Sequence, residues 1–179
     1  RSAQTALYHI AQAVVRWIAP ILPFTAQEAW GFIRSKDAYK YVFADEWYEL
    51  PTPAMTDITA DDWKAILDAK DLVNKAIEEA RGDKIISSNL TAKATITAND
   101  ATYNALAKLG DEARFVFITS DATITQGEGF GVVITPADGQ KCTRCWHIRT
   151  DVGTHADHPE LCGRCVTNVD GAGETRQYA

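Results

Sequence analysis

Over residues 3–19 the apolar positions Leu7, Ile10, Ala11, Val14 and Ile18 recur at helical spacing, and Trp17 widens the stripe. Pro20 and Pro23 stop this helix and turn the chain. Thr25-Ala26-Gln27-Glu28 has the form of a capping box, which predicts a second helix through about Ile33, with Phe24 stapled onto Ala29 or Trp30. Trp17 and Trp30 lie on the apolar faces and are expected in the core. Two helices joined by so short a link must pack as neighbours, yet a pair alone makes too small a core, so partner helices outside this chain are expected. Residues 35–58 show no period and carry Trp47, Tyr48, Leu50, Pro51 and Pro53, which reads as an extended strap or linker. Thr59 and Asp62 predict the cap of a third helix reaching about Arg81. Its apolar face is Trp63, Ile66, Leu67, Val73, Ala76, Ile77 and Ala80, and Gly82 stands where a glycine cap is expected.

The period then falls to two. Leu90 to Thr97 alternates apolar and polar, the pattern of a half-buried strand. Asp100 can cap a short helix over 101–109, ended by Gly110. Phe115 to Thr119, Ala122 to Thr125 and Gly131 to Thr135 read as strands, the last two separated by the Gly127-Glu128-Gly129 turn. Pro136 to Gly139 is a further turn, and Asp170 to Glu174 a flexible one. The fold class is therefore an α+β multi-domain fragment: part of a helical bundle with its linker over 1–58, a helix and small α+β domain over 59–138, and a metal module over 139–179. The antiparallel or mixed character of the sheet is left open. The chain starts without Met and runs straight into a helix, as a piece of a longer protein would.

That module is defined by four cysteines. Cys142-x2-Cys145 and Cys162-x2-Cys165 are separated by sixteen residues, the spacing of a structural zinc site. Each hook brings two thiolates to one ion, and four sulfurs complete a tetrahedron with no position left for a substrate. One structural Zn²⁺ per chain is expected. Iron in the same shell is compatible with the spacing. Two disulfides would suit a secreted chain, but residues 1–30 contain no basic stretch followed by an apolar one, so a cytoplasmic location is expected. His147, His155 and His158 stand near a shell that is already full, and are expected around it rather than in it.

Composition narrows the rest. With 46% apolar and 23% charged residues the 179-residue chain is globular in type, and no apolar run is long enough for a membrane span, so no membrane partner is expected. The net charge of −6 argues against a broadly basic nucleic-acid surface. Residues 141–179 balance five basic against five acidic side chains, so the excess of acid lies in 1–140, and any nucleic-acid contact must be local. The closed sulfur shell, with no Ser/His/Asp or paired-carboxylate constellation, argues against a stand-alone metalloenzyme; no catalytic residue is assigned.

The block KCTRCWHIRTDVG…HPELCGRCVTNVDGAGETRQYA at 141–179 resembles the C-terminal zinc module of bacterial isoleucyl-tRNA synthetases, members of the class I family. LYHIAQAVVRWIAPILPFTAQEAW at 7–30 is similar to the end of their anticodon-binding bundle, and VNKAIEEARGDKIISSNLTAKATI at 73–96 to the junction domain that follows. The resemblance runs in family order over essentially the whole chain. It implies an isoleucine–tRNA ligase parent that uses ATP for translation, with isoleucine tRNA and the remainder of the synthetase as partners, and a monomer. The chain departs from the family in lacking both ATP-site motifs: His9-Ile10 is followed by Ala11-Gln12 on a helix. The resemblance therefore implies tRNA recognition here and catalysis elsewhere.

Unpaired bases are read by stacking on aromatics and by hydrogen bonds from arginines. Arg144 and Trp146 flank the metal-binding Cys145, where the ion would fix their backbone; they are the first candidates for RNA contact. Lys141, Arg149 and Arg164 are candidates for phosphates. Trp146 can instead pack over the metal turn, and Arg144 can be a solvated charge. The loop carrying Arg81, Lys84, Ser87, Ser88 and Asn89 can touch the tRNA or merely connect. The rival reading is a zinc-stapled protein-interaction module without RNA binding.

Overall fold

The computed structural model describes residues 2–52 and 57–178; the part of the strap at 53–56, with Pro53, lies outside the described residues. The chain divides into two compact units, Arg1–Met55 and Thr56–Ala179.

The first unit pairs helix α1 (Ser2–Ile18) with α2 (Pro23–Ile33). The capping box expected at Thr25 does not form. Proline fits the first helical position because its fixed φ suits a helix and its missing N–H would be unpaired there anyway. Helix α2 accordingly starts at Pro23, with Leu22 as its cap, and Thr25 is already inside. The face of α1 also differs from expectation. Gln12, Ala13, Val15 and Ala19 are buried, while Leu7, Ile10, Val14 and Trp17 are exposed. A polar network wins over the apolar stripe. Gln12 Nε2 donates to the Ile33 carbonyl at 2.9 Å, Arg16 donates to Gln12 Oε1 at 2.7 Å, and Arg16 pairs with Asp45 at 3.0 Å. Trp30 is fully buried, as expected, and Trp17 is not: it is 42% exposed. The Trp30 N–H reaches the Tyr39 carbonyl at 2.9 Å, and the Arg16 guanidinium lies 4.4 Å from its ring centre. The strap crosses these helices. Val42 is buried and its N–H is held by Gln27, while the Tyr48 hydroxyl meets His9 Nδ1 at 2.7 Å.

The second unit opens on helix α3 (Ala60–Gly82). Thr59 and Asp62 form the reciprocal capping box expected of them, which satisfies two backbone N–H groups at the helix start. Ile66, Ala69, Val73, Ile77 and Ala80 make the buried stripe; Leu67, expected on it, is exposed. Gly82 lies inside the last turn and is not the cap. The left-handed residue is Lys84 (φ 61), with the Ile85 N–H on the Ala80 carbonyl and the Lys84 N–H on that of Arg81.

Strand β1 (Ala92–Ala98) buries every second residue. It is the centre of a mixed sheet, parallel to β2 (Asp121–Gln126) and antiparallel to β3 (Gly131–Pro136). Between β1 and β2 run helices α4 (Asp100–Ala107) and α5 (Ala113–Phe117). The cap of α4 is Asn99, one residue before the expected Asp100. Phe115 to Thr119, expected as a strand, is the end of a helix. The Ile118 backbone turns left-handed (φ 57) and the Thr119 N–H closes back on the Arg114 carbonyl at 2.9 Å. Its β-prone residues serve burial instead: Val116 and Phe117 join Leu106, Ile96 and Ile77 in one apolar core.

Candidate metal centre and nucleic-acid interface

After β3 the chain forms a small ribbon, β4 (Gln140–Lys141) against β5 (Ile148–Arg149). Gly139 (φ 113) leads into it because a Cβ there would stand 2.3 Å from the Arg149 carbonyl. The first cysteine hook is the turn of this ribbon, closed by the Trp146 N–H on the Cys142 carbonyl and the Cys142 N–H on that of His147, both at 2.9 Å. The second hook is not a free turn: Cys162 caps helix α6 (Gly163–Val169), and Cys165 lies within its first turn.

The four sulfurs lie within 4.8 Å of one another, and Cys145 Sγ stands 3.7 Å from Cys162 Sγ. Zn–S bonds of about 2.3 Å in a tetrahedron place sulfurs about 3.8 Å apart. All four thiols are free; Cys142, Cys162 and Cys165 are buried and Cys145 is half-buried. Such a cluster cannot ionise fully without a cation. Burial pushes the Cys162 thiol up to about 12 and raises Cys165. Cys142 resists its own burial and falls to about 6 through the N–H groups of Cys145, Cys162 and Arg144. A dication supplies the charge that Cys162 and Cys165 lack, and four thiolates supply the soft donor set that zinc prefers.

Around this shell the sequence-predicted residues take different places. Trp146 is 60% exposed and held in the left-handed region (φ 68), with Lys141 Nζ 5.2 Å from its ring centre; it does not pack over the metal turn. Arg144 is exposed and donates to Cys165 Sγ at 3.6 Å, offsetting thiolate charge. Arg164 is engaged by Glu174 at 3.0 and 3.3 Å, and Arg149 donates to the Ser120 carbonyl at 3.4 Å. The histidines stand around the shell. His147 Nδ1 meets the Cys145 carbonyl at 3.2 Å and His158 meets Asp170 at 2.5 Å, while His155 Nε2 is buried without a hydrogen-bond partner. The tail expected to be flexible is tied down. Gly173 N–H reaches the Thr167 carbonyl, Glu174 N–H reaches Asn168, and the Gln177 and Tyr178 N–H groups share the Glu112 carboxylate at 2.7 Å.

Sequence reasoning missed what joins the module to the sheet. Buried Ser120 donates to the Leu90 carbonyl at 2.5 Å and accepts the Ile148 N–H at 2.7 Å. Phe115 is met edge-on by His147 at 5.8 Å, and by the guanidinium groups of Arg114, Arg164 and Arg176 at 4.7, 5.1 and 4.0 Å. Nothing in a single sequence marks a serine as a rivet, and Arg114 stood in a stretch that gave no chemical signal.

Residues 1–96 match the family described as the anticodon-binding domain of tRNA ligase. The chain belongs to that family. Residues 139–168, which bracket all four cysteines, match a zinc finger found in FPG and IleRS, so donor set and family agree on a structural Zn²⁺. The whole chain is similar to part of the isoleucine–tRNA ligase of Psychrobacter arcticus, at 52% identity over 100% of this chain and 21% of that protein. The corresponding ligase of Acinetobacter baylyi is 50% identical over 99% of this chain and 20% of its own length. That of Pseudoalteromonas translucida is 45% identical over 100% and 20%. The chain thus spans about a fifth of the length of the curated relatives it matches. Among the described residues no helix is long and apolar enough to cross a membrane.

Proposed function

We propose that the chain is the anticodon-side, tRNA-binding part of a cytoplasmic, monomeric isoleucine–tRNA ligase, whose ATP-dependent attachment of isoleucine to its tRNA is carried out by other parts of the protein. The observation that carries this reading is Trp146. An indole held on a metal-fixed turn, 60% exposed and backed by Lys141, is built to meet a flat partner. Base stacking on such a ring is worth about 1–3 kcal/mol. Arg144 spends one donor on Cys165 and stays exposed, so it can still reach a base edge or phosphate beside the ring. The uncovered apolar side of α1 and α2, with Phe24 90% and Phe32 86% exposed, supports a second contact: the remainder of the synthetase packs on it.

Binding of an isoleucine tRNA transcript by the zinc-loaded chain, by its chelated form and by Trp146→Ala tests this reading. Trp146→Ala should lose about ten- to hundredfold in affinity with zinc content unchanged. No binding by the zinc-loaded chain would overturn the reading and favour a zinc-stapled protein-interaction module.

A further inference from the structure

Arg114 is a cation with no carboxylate in contact among the described residues. Its guanidinium is half-buried against Phe115 and makes no hydrogen bond or ion pair with any described residue. A cleft of about 30 Å³ opens beside it, lined by Arg114, His147, Arg149 and Arg164, with Cys145, Cys162 and Asp151 forming the rest of its wall. Burial and the neighbouring guanidiniums hold Arg114 below its ordinary value, with Arg149 the strongest neighbour and Arg164 a further one. Three guanidinium groups therefore converge on one small cleft.

The charges can be paired off. Four thiolates around Zn²⁺ carry two net negative charges, faced by Arg144 on Cys165 and by Arg164, which lines the same cleft as Cys145 and Cys162. Glu174 has Arg176 at 3.1 Å, and Asp151 faces Arg149 at 3.9 Å. Asp121 is paired with Lys93 at 3.6 Å, the Glu112 carboxylate accepts two N–H groups of the tail, and Asp111 and Asp121 act on Arg114 only through space. Arg114 has no carboxylate in hydrogen-bond or ion-pair contact among the described residues. A guanidinium with no carboxylate in contact, beside a cleft that holds about one water-sized group, fits one oxygen of an anion and leaves no room for a base or a sugar.

We propose that this cleft receives a non-bridging oxygen of one RNA phosphodiester, bound by Arg114 and Arg149 from either side of the seam between sheet and zinc module. The inference rests on the tRNA-binding reading above and adds a backbone contact separate from the exposed face of Trp146. A salt series of tRNA binding tests it, with the zinc-loaded chain and Arg114→Gln compared and metal measured in each. The variant should keep its zinc, bind roughly tenfold more weakly at 0.1 M salt, and show a log-affinity against log-salt slope shallower by about 1. Arg114→Lys should restore the slope, because that quantity counts charge and not shape. Arg149→Gln, on a different element, should reproduce the change and guards against an Arg114 variant that misfolds. Unchanged affinity and slope would overturn the proposal. So would zinc lost together with binding, since Arg114 would then serve the thiolate shell. Failure of the unsubstituted, zinc-loaded chain to bind tRNA is a different result, and overturns the tRNA reading itself.

Discussion

The two units use apolar side chains in opposite ways. In the second, Phe117, Ile96, Leu106 and Ile77 are fully buried in a core shared by α3, α4, α5 and the sheet. In the first, Trp30 and Val42 are buried, yet Leu7, Ile10, Phe24 and Phe32 face solvent. The polar network of Gln12, Arg16 and Asp45 holds α1 by the side opposite its apolar stripe. A hydrophobic stripe at helical spacing therefore identifies a face that wants covering, without saying that this chain covers it. The second unit is complete in itself except at its end, where sulfur and metal stand in for a core.

That contrast can be broken at its strongest point by removing zinc. Structural zinc of this type contributes about 10–16 kcal/mol of apparent binding free energy. Chelation should therefore unfold residues 139–178 while α3 and the sheet keep their amide protection. Hydrogen exchange followed by NMR reads both, and loss of protection across the sheet would show that the metal holds the whole unit. Next in size, Phe117→Ala should cost the second unit about 3–5 kcal/mol, seen in denaturant melts, because the ring is fully buried. An acid titration gives a smaller effect. Hydrogen bonding to Lys108, then to Thr59, holds the Asp62 carboxyl at about 2 against an ordinary 3.8. A lowered folded-state value stabilises above the unfolded one and is lost as the group protonates. The stability gap between wild type and Asp62→Asn should thus be constant above pH 3.8 and close as pH falls through about 2. A gap that widens in acid would contradict this sign. Smallest of all, Phe32→Ala should shift the melting of the isolated chain within about 0.5 kcal/mol, since the ring is already in water. The same phenylalanine-to-alanine change should thus be costly in one unit and nearly silent in the other.

Some of this architecture is written in local sequence. The cysteine hooks, the Thr59–Asp62 box and the alternation of β1 each depend on residues close in the chain, and each appears where its spacing puts it. The stretch from Phe115 to Thr119 is different. Aromatic and β-branched residues favour a strand only when a neighbouring strand is there to pair with, and here the core captures them on a short helix. Gly82 was misplaced because Lys84 takes the left-handed position that glycine would fill at less cost. Trp17 falls on the apolar stripe, and periodicity knows nothing of the competing polar face. The seam was invisible for a simpler reason: Ser120, Arg114 and Phe115 acquire meaning only from partners 28 or more residues away, such as Ile148, Arg149 and Arg164.

The backbone at Trp146 has a bearing on how such a protein could be engineered. An L residue with a Cβ gives up about 1–2 kcal/mol in the left-handed region, and glycine gives up nothing there. Any selection that rewards heat resistance alone will drift toward Trp146→Gly, because the turn relaxes and no core contact is lost. The winners of that screen would be sturdier and easier to purify, with nothing left on the turn for a nucleobase to lie against.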